Sequence, residues 1–159
     1  MGIRAEGFNE VIDFIEKQSE RYVRAFVDDL NYVGNKVVAY VRNRSAADSW
    51  IDQTGNLRSS IGYVVVRNGR VIGKGGFDKV DGPKRSEAKE NGSTVGESYA
   101  VRLAGQFTRG FALVIVAGMD YASYVEDMEN KDVLKKGEFE AEKLITKLIK
   151  DYDRLMQSK

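Results

Sequence analysis

Residues 61–76, IGYVVVRNGRVIGKGG, predict a β-hairpin. The first run, Ile61–Val66, is rich in β-branched and aromatic side chains, which favour strands. Asn68-Gly69 separates that run from a second apolar stretch. Asn-Gly at such a place favours a type I′ turn, because both central residues of that turn need a positive φ. The stretch is therefore expected to pair with itself as two antiparallel strands.

The end of this hairpin, VIGKGG at residues 71–76, is spelled like the IGKGG loop of the KH family of RNA-binding modules. That resemblance implies a nucleic-acid-binding module, which is kept as an alternative function. A KH loop joins two helices, whereas here a strand precedes the glycines. We therefore interpret Gly73, Gly75 and Gly76 as a hinge at the end of the strand. They lead into a charged, glycine-rich segment, residues 77–93, which is expected to be a mobile loop.

Two amphipathic helices flank the hairpin region. Apolar residues recur every three or four positions over about residues 8–41 and again over about residues 136–156. A continuous helix over 8–41 would be ~50 Å long at 1.5 Å per residue. A compact domain of this size is only about 40 Å across. The first helix must therefore bend, break near Gly34, or extend to a partner.

One further helix and one further strand lie between the hairpin and the last helix. Thr94 and Glu97 have the spacing of a capping box, which predicts a helix start, and Gly110 is expected to close that helix. The apolar run Phe111–Ala117 predicts a central strand covered on both faces. The order predicts an α+β fold in which a small, mostly antiparallel sheet is covered by the long N-terminal and C-terminal helices. We expect one domain over residues 1–159, with its sheet core at about 54–118.

The composition limits the kinds of catalytic and metal site that the chain can form. The chain has no cysteine and no histidine, which removes disulfides, thiolate nucleophiles and the commonest zinc ligands. Its net charge is +1, whereas nucleic-acid binders are usually strongly basic. The longest apolar run, residues 111–119, is too short to cross a bilayer as a helix. We expect a non-enzymatic protein without cofactor or metal, with no membrane contact, for which nucleic acid is an unfavoured partner.

Two groups of residues leave a chemical role open. Acidic side chains that could hold a hard cation cluster near the last helix, although a solvated acidic surface is the simpler interpretation; they are Asp120, Glu126, Asp127, Glu129 and Asp132. Ser59-Ser60 could supply a nucleophile, but the chain has no histidine to activate it. A serine paired with a lysine is the remaining possibility for catalysis.

Two motifs occur in order between the long helices. The first is DQTGNLRSSI at residues 52–61, and the second is YASYVE at residues 121–126. They resemble the D-x-T-G-x-L-R-x-S-I and Y-A-x-Y-V-E segments of a family of small tailed-phage and prophage proteins. Members of that family are minor tail components, tail-completion proteins or head–tail connector (neck) proteins.

The resemblance implies a structural subunit that forms a ring of copies and contacts other tail or neck proteins. It implies a location in the cytoplasm of the bacterial host and then in the virion. The motifs place candidate interface residues at Leu57, Arg58, Tyr121, Tyr124 and Glu126. Tyrosine is enriched at protein interfaces, although ordinary packing of half-buried rings would explain Tyr121 and Tyr124 equally well.

Overall fold

The computed structural model describes residues 8–18, 20–43, 54–84, 86, 91–118 and 135–158. These residues form five helices and three strands. The helices are α1 (Phe8–Glu16), α2 (Glu20–Arg42), α3 (Asn56–Ser59), α4 (Gly92–Ala104) and α5 (Lys135–Gln157). The strands are β1 (Ile61–Arg67), β2 (Arg70–Gly76) and β3 (Phe111–Ala117).

The three strands form one antiparallel sheet in the order β2-β1-β3. The hairpin prediction is confirmed, since β1 pairs with β2 and the turn residues Asn68 and Gly69 have φ values of 52° and 80°. A bulge interrupts the β1–β2 register between Val65 and Val66. The predicted α+β class is also confirmed. One domain over residues 1–159 stays a prediction, because it includes stretches outside the described residues.

The side chains on the two faces of the sheet enter two separate cores. Ile61, Tyr63 and Val65 of β1 point into a large core that they share with α1, α2 and α5. Val64 and Val66 point the other way, into a smaller core with α4. The helix α4 lies close to the sheet because its buried positions are small, at Gly92, Gly96, Ala100 and Ala104. The sheet is thus covered by helices on both faces.

The N-terminal periodic region does not break where the sequence predicts. It forms two helices, with α1 ending at Glu16 and α2 beginning at Glu20, and Gly34 lies inside α2. A Cβ on Gly34 would be 2.5 Å from Cδ2 of the Tyr63 ring. Gly34 therefore lets the helix approach that ring closely and marks no kink.

The strand β3 is buried on both faces but is an edge strand of the described sheet, whereas the sequence predicts a central one. The central strand is β1, because it pairs with β2 on one side and with β3 on the other. A continuous apolar run shows that both faces of a strand are covered. It carries no information about how many neighbours the strand has.

Both ends of α4 differ from the prediction. Its N-cap is Asn91, whose side-chain oxygen accepts a hydrogen bond from the Thr94 amide at 3.3 Å. Thr94 is thus inside the helix, and Glu97 lies one turn further on. The helix ends at Ala104, and Gly110, with φ 72°, comes directly before β3.

The last helix is confirmed, since α5 covers residues 135–157 where about 136–156 was predicted. Its Tyr152 hydroxyl donates a hydrogen bond to the Asp29 carboxylate of α2 at 2.9 Å. Burial, together with that carboxylate, raises the pKa of Tyr152. Burial also raises the pKa of Asp29, the Tyr152 hydrogen bond opposes the shift, and the charges of Asp28 and Asp151 add to it. None of the described helices is both long enough and apolar enough to span a membrane.

Candidate functional site

The described part of the first motif, residues 54–61, folds into a buried junction. Gly55 has φ 85°, and a Cβ there would overlap the carbonyl group of Val80. The Ser59 hydroxyl donates to the Gly55 carbonyl at 2.6 Å and accepts from the Val80 amide at 2.8 Å. The junction therefore holds residue 80 directly against the turn that precedes β1.

The same junction also holds α4 and the end of β3. The Asn56 side-chain oxygen accepts from the amide of Gly92, the first residue of α4, at 3.1 Å. A Cβ on Gly96 would overlap the Ser60 carbonyl oxygen, and that oxygen accepts from the Gly118 amide at 3.2 Å. Three separate parts of the chain thus meet on residues 55–60 with no space between backbones.

This arrangement accounts for most of the motif through intramolecular packing. Leu57, a candidate interface residue, is 1% exposed and belongs to the large core, so its side chain does not lie at the surface. Ser59 and Ser60 are buried, and their hydroxyl groups donate to backbone carbonyls of Gly55 and Leu57. The two hydroxyl groups therefore stabilise the junction through these hydrogen bonds. Thr54 accepts from the Asn56 amide at 3.2 Å, while the N-cap position of α3 is Gly55.

Arg58, the other candidate in this motif, does reach the surface, at a groove that we call the Arg42 groove. The volume of the Arg42 groove is about 440 Å³. The groove lies between the last turns of α2 and the segment after β2, with Arg58 of α3 beside them. It is lined by Asn35, Val38, Ala39, Arg42, Asn43, Arg58, Gly76, Asp78 and Val80.

Arg42 bridges this groove. Its Nη1 contacts Oδ2 of Asp78 at 2.7 Å, and its Nη2 donates to the backbone carbonyl of Asp78 at 2.7 Å. The Arg42 side chain is 12% exposed, whereas that of Asp78 is 78% exposed. Arg58 donates from Nη1 to the backbone carbonyl of Arg42, so both guanidinium groups lie at the same end of α2.

Arg42 and Asp78 were missed by sequence reasoning. They are 36 residues apart, and neither belongs to a motif. Their pairing follows from the hairpin register and from the junction, which together carry residues 77–80 back to the end of α2. No local pattern in the sequence could have indicated it.

The predicted hinge glycines lie within β2. Gly73 and Gly75 face α2, since a Cβ would be 2.8 Å from the Asn31 side chain for Gly73 and 2.8 Å from the Asn35 side chain for Gly75. A Cβ on Gly75 would also be 2.5 Å from the ring of Tyr63 on β1. The two glycines let α2 pack directly on this strand. Gly76 ends β2 with φ 77°, and Phe77 follows with φ 57°, so the chain turns sharply here. A hinge function, and mobility of residues 77–93, stay predictions.

Tyr63 fills the space that these glycines leave. Its hydroxyl donates to the Asn31 side-chain oxygen at 2.9 Å. Burial raises the pKa of Tyr63, and a hydrogen bond with Asn35 opposes the shift. The ring and its polar partners thus set the spacing between α2 and the edge of the sheet.

The stretch that resembles a KH loop is therefore part of a strand. Lys74, its only cation, forms an ion pair with Glu97 of α4. Residues 70–76 pair with β1, so they do not form a glycine loop between two helices.

The second motif lies outside the described residues. This applies to Tyr121, Tyr124 and Glu126, and also to the acidic cluster from Asp120 to Asp132. Within the parts of the chain that the structure describes, no group of three or more acidic side chains is arranged to hold a metal ion.

The helices α2 and α5 also expose aromatic side chains. Tyr32 and Tyr40 lie on α2, with Lys36 between them and its ammonium 5.5 Å from the Tyr32 ring centre. Phe139 of α5 is 71% exposed and lies beside Lys143 and other polar residues. Exposed aromatic rings of this kind are common at protein interfaces.

No family model, no curated protein and no solved structure matches this chain.

Proposed function

We propose that the chain is a non-enzymatic structural or assembly subunit of a phage or prophage tail or head–tail joint. It acts through protein–protein contacts, in a ring of its own copies and with other tail or neck proteins. Its place would be the cytoplasm of the bacterial host during assembly and the virion afterwards.

The observation that carries the proposal is the position of the first motif in the fold. In the family that the sequence resembles, the D-x-T-G-x-L-R-x-S-I segment follows a long helix and leads into a hairpin. Here the corresponding residues follow α2 and lead into β1, and the Gly, Leu and Ser of the motif occupy buried positions in the junction. The motif therefore supports the resemblance through residues that this fold requires.

The surface is compatible with assembly through protein contacts. The exposed Tyr32 and Tyr40 lie on α2 and Phe139 lies on α5, and the Arg42 groove lies at the end of α2. The alternative of nucleic-acid binding through VIGKGG has no comparable support, because Lys74 is paired with Glu97 and the glycines pack under α2.

The proposal is tested by co-expressing the chain with the products of the genes beside its own. Light scattering after size-exclusion chromatography then gives the mass of each complex. We expect neighbouring genes for head or tail components, and a complex of defined stoichiometry with at least one of their products. A neighbourhood without such genes, together with a chain that stays monomeric at high concentration, would overturn the proposal.

A further inference from the structure

The Arg42 groove carries an inference about what the protein contacts. One wall is formed by Val38, Ala39 and Arg42 of α2. The opposite wall is formed by the segment that leaves β2, with Asp78 and Val80. Val80 is held by the Ser59 hydroxyl of the junction, so this wall is anchored independently of any charge.

The ion pair across the groove is unequal. Arg42 is largely buried, while the Asp78 carboxylate that contacts it lies almost entirely in solvent. The bond from Nη2 to the Asp78 backbone carbonyl holds the guanidinium in place, whereas the exposed carboxylate can rotate away at little cost. An ion pair with one exposed partner is favoured by about fivefold at most. A carboxylate from another molecule can therefore compete with Asp78 for Arg42.

We propose that the Arg42 groove is a docking site for an acidic segment of a partner protein, in which an Asp or Glu carboxylate replaces that of Asp78 on Arg42. The inference rests on the proposed function only in naming the partner as a head or tail protein. The carboxylate of Asp78 shows the position that the partner's carboxylate would take.

Charge and shape both favour such a segment. Among the residues that line the groove, Arg42 and Arg58 bring two positive charges and Asp78 brings one negative charge. Nη1 of Arg42, which contacts the Asp78 carboxylate, would donate a charge-assisted hydrogen bond to the incoming carboxylate, while Nη2 stays on the Asp78 backbone carbonyl. Val38, Ala39 and Val80 supply apolar wall for the methylene groups of a Glu side chain.

The test is a titration of the whole chain with a hexaglutamate peptide at low salt, followed by the amide signals of Ala39 and Gly76 in ¹H–¹⁵N NMR spectra. Asp78→Asn removes the internal competitor, so we expect binding about two- to fivefold tighter. Arg42→Gln should abolish the shifts at Ala39 and Gly76. Arg42→Lys keeps the charge but loses the planar group that contacts the Asp78 backbone carbonyl and a carboxylate at the same time, so it should bind with intermediate affinity.

Lys147→Gln is the matched control, because Lys147 is an exposed cation on α5. It should leave the titration unchanged, and a hexalysine peptide should cause no shift at the groove. If Arg42→Gln and Lys147→Gln titrate alike, or if Asp78→Asn binds no more tightly than the natural chain, the docking site is refuted. The ion pair would then serve only to hold residues 77–80.

The outcome is separable from that of the proposed function. Loss of hexaglutamate binding alongside a stable complex with a neighbouring head or tail protein would reject the groove and keep the function. Binding of hexaglutamate through Arg42 without any such complex would reject the function and keep the groove.

Discussion

The junction and the Arg42 groove both include Arg58 and Val80, yet they are held together in different ways. In the junction, carbonyl groups of Ser60 and Val80 touch glycines so closely that a methyl group would not fit. In the groove, the segment with Val80 is held by Arg42 and an exposed carboxylate. No other group can replace a closely packed backbone contact, whereas another carboxylate can replace the exposed partner of an ion pair. The junction contacts are therefore required by the fold, and the ion pair of the groove is open to a binding partner.

The largest effect is expected inside the junction, from Gly96→Ala. Its methyl group would overlap the Ser60 carbonyl, and neither backbone can move away without shifting α4 or β1. We expect a loss of about 3 kcal/mol in the free energy of unfolding, although alanine favours the helix itself by about 1 kcal/mol. Urea denaturation followed by circular dichroism measures this.

Gly105→Ala, at the C-cap of the same helix, is the matched control, because a Cβ there meets only the Arg102 carbonyl oxygen at 3.5 Å. It should change the free energy of unfolding by less than about 0.5 kcal/mol. Equal effects of the two substitutions would show that the junction is not closely packed, and the contrast with the groove would fail.

The contact between α2 and the sheet should behave like the junction but less severely, because a side chain can adjust where a backbone cannot. Gly34→Ala places a methyl group 2.5 Å from the Tyr63 ring. We expect a loss of about 2 kcal/mol in thermal or urea unfolding. In a Tyr63→Leu background the added cost of Gly34→Ala should fall by at least half, which a double-mutant cycle measures. If the losses in unfolding free energy of Gly34→Ala and Tyr63→Leu are additive in the double variant, the two residues are not in contact.

The contact between Asp29 and Tyr152 is half-buried, so it is intermediate between the packed junction and the exposed ion pair of the groove. Its contribution to the free energy of unfolding depends on pH. The pKa of Asp29 is raised above its ordinary value of 3.8, so the folded chain binds a proton there more tightly than the unfolded chain. The contribution of this group to stability is full below pH 3.8 and is lost as the pH rises through the raised pKa.

Asp29→Asn keeps an acceptor for the Tyr152 hydroxyl and removes the buried charge. At pH 7 we expect this variant to be as stable as the natural chain or up to about 1 kcal/mol more stable, with no gain at pH 3. Urea titrations across this range give the comparison, with the exposed Asp153→Asn of α5 as control. A variant clearly less stable at pH 7 would show that the carboxylate is favoured where it lies.

The smallest effect on stability is expected at the groove. Asp78→Asn removes an exposed ion pair but leaves the junction intact, so the free energy of unfolding should change by less than about 1 kcal/mol. The change should shrink further at high salt, where exposed charges are screened. A loss as large as that of Gly96→Ala would place the ion pair among the contacts that the fold requires.

The sequence predicted the features that depend on local chemistry. Asn68-Gly69 predicted the hairpin, because few residue pairs other than Asn-Gly readily adopt the two positive φ angles of a type I′ turn. The apolar spacing of α5 predicted the ends of that helix to within one residue. Of the three alternatives for the long N-terminal pattern, a break near Gly34 was wrong, because the interruption lies between Glu16 and Glu20. A glycine in a helical pattern can indicate that another group packs closely against the helix at that position. Here that group is the ring of Tyr63 on β1, which the local pattern does not reveal.

The site was harder to predict than the fold. Leu57 and Arg58 are neighbours in one motif, yet one is in the core and the other lines the groove, because successive positions of a short helical turn face different ways. Arg42 and Asp78 meet only through the hairpin register and the junction. The motif thus indicated the region of the site, and long-range packing selected the residues.

The most direct test of the account is to locate the contact surface within an assembled complex. A photo-crosslinking residue is placed at Ala39, on the rim of the Arg42 groove, or at Val101, on the exposed face of α4. Each variant is co-expressed with the products of the genes beside its own, and mass spectrometry identifies the cross-linked peptides. The account predicts a cross-link from Ala39 to an acidic segment of a partner and none from Val101. Cross-links from Val101 alone would contradict it.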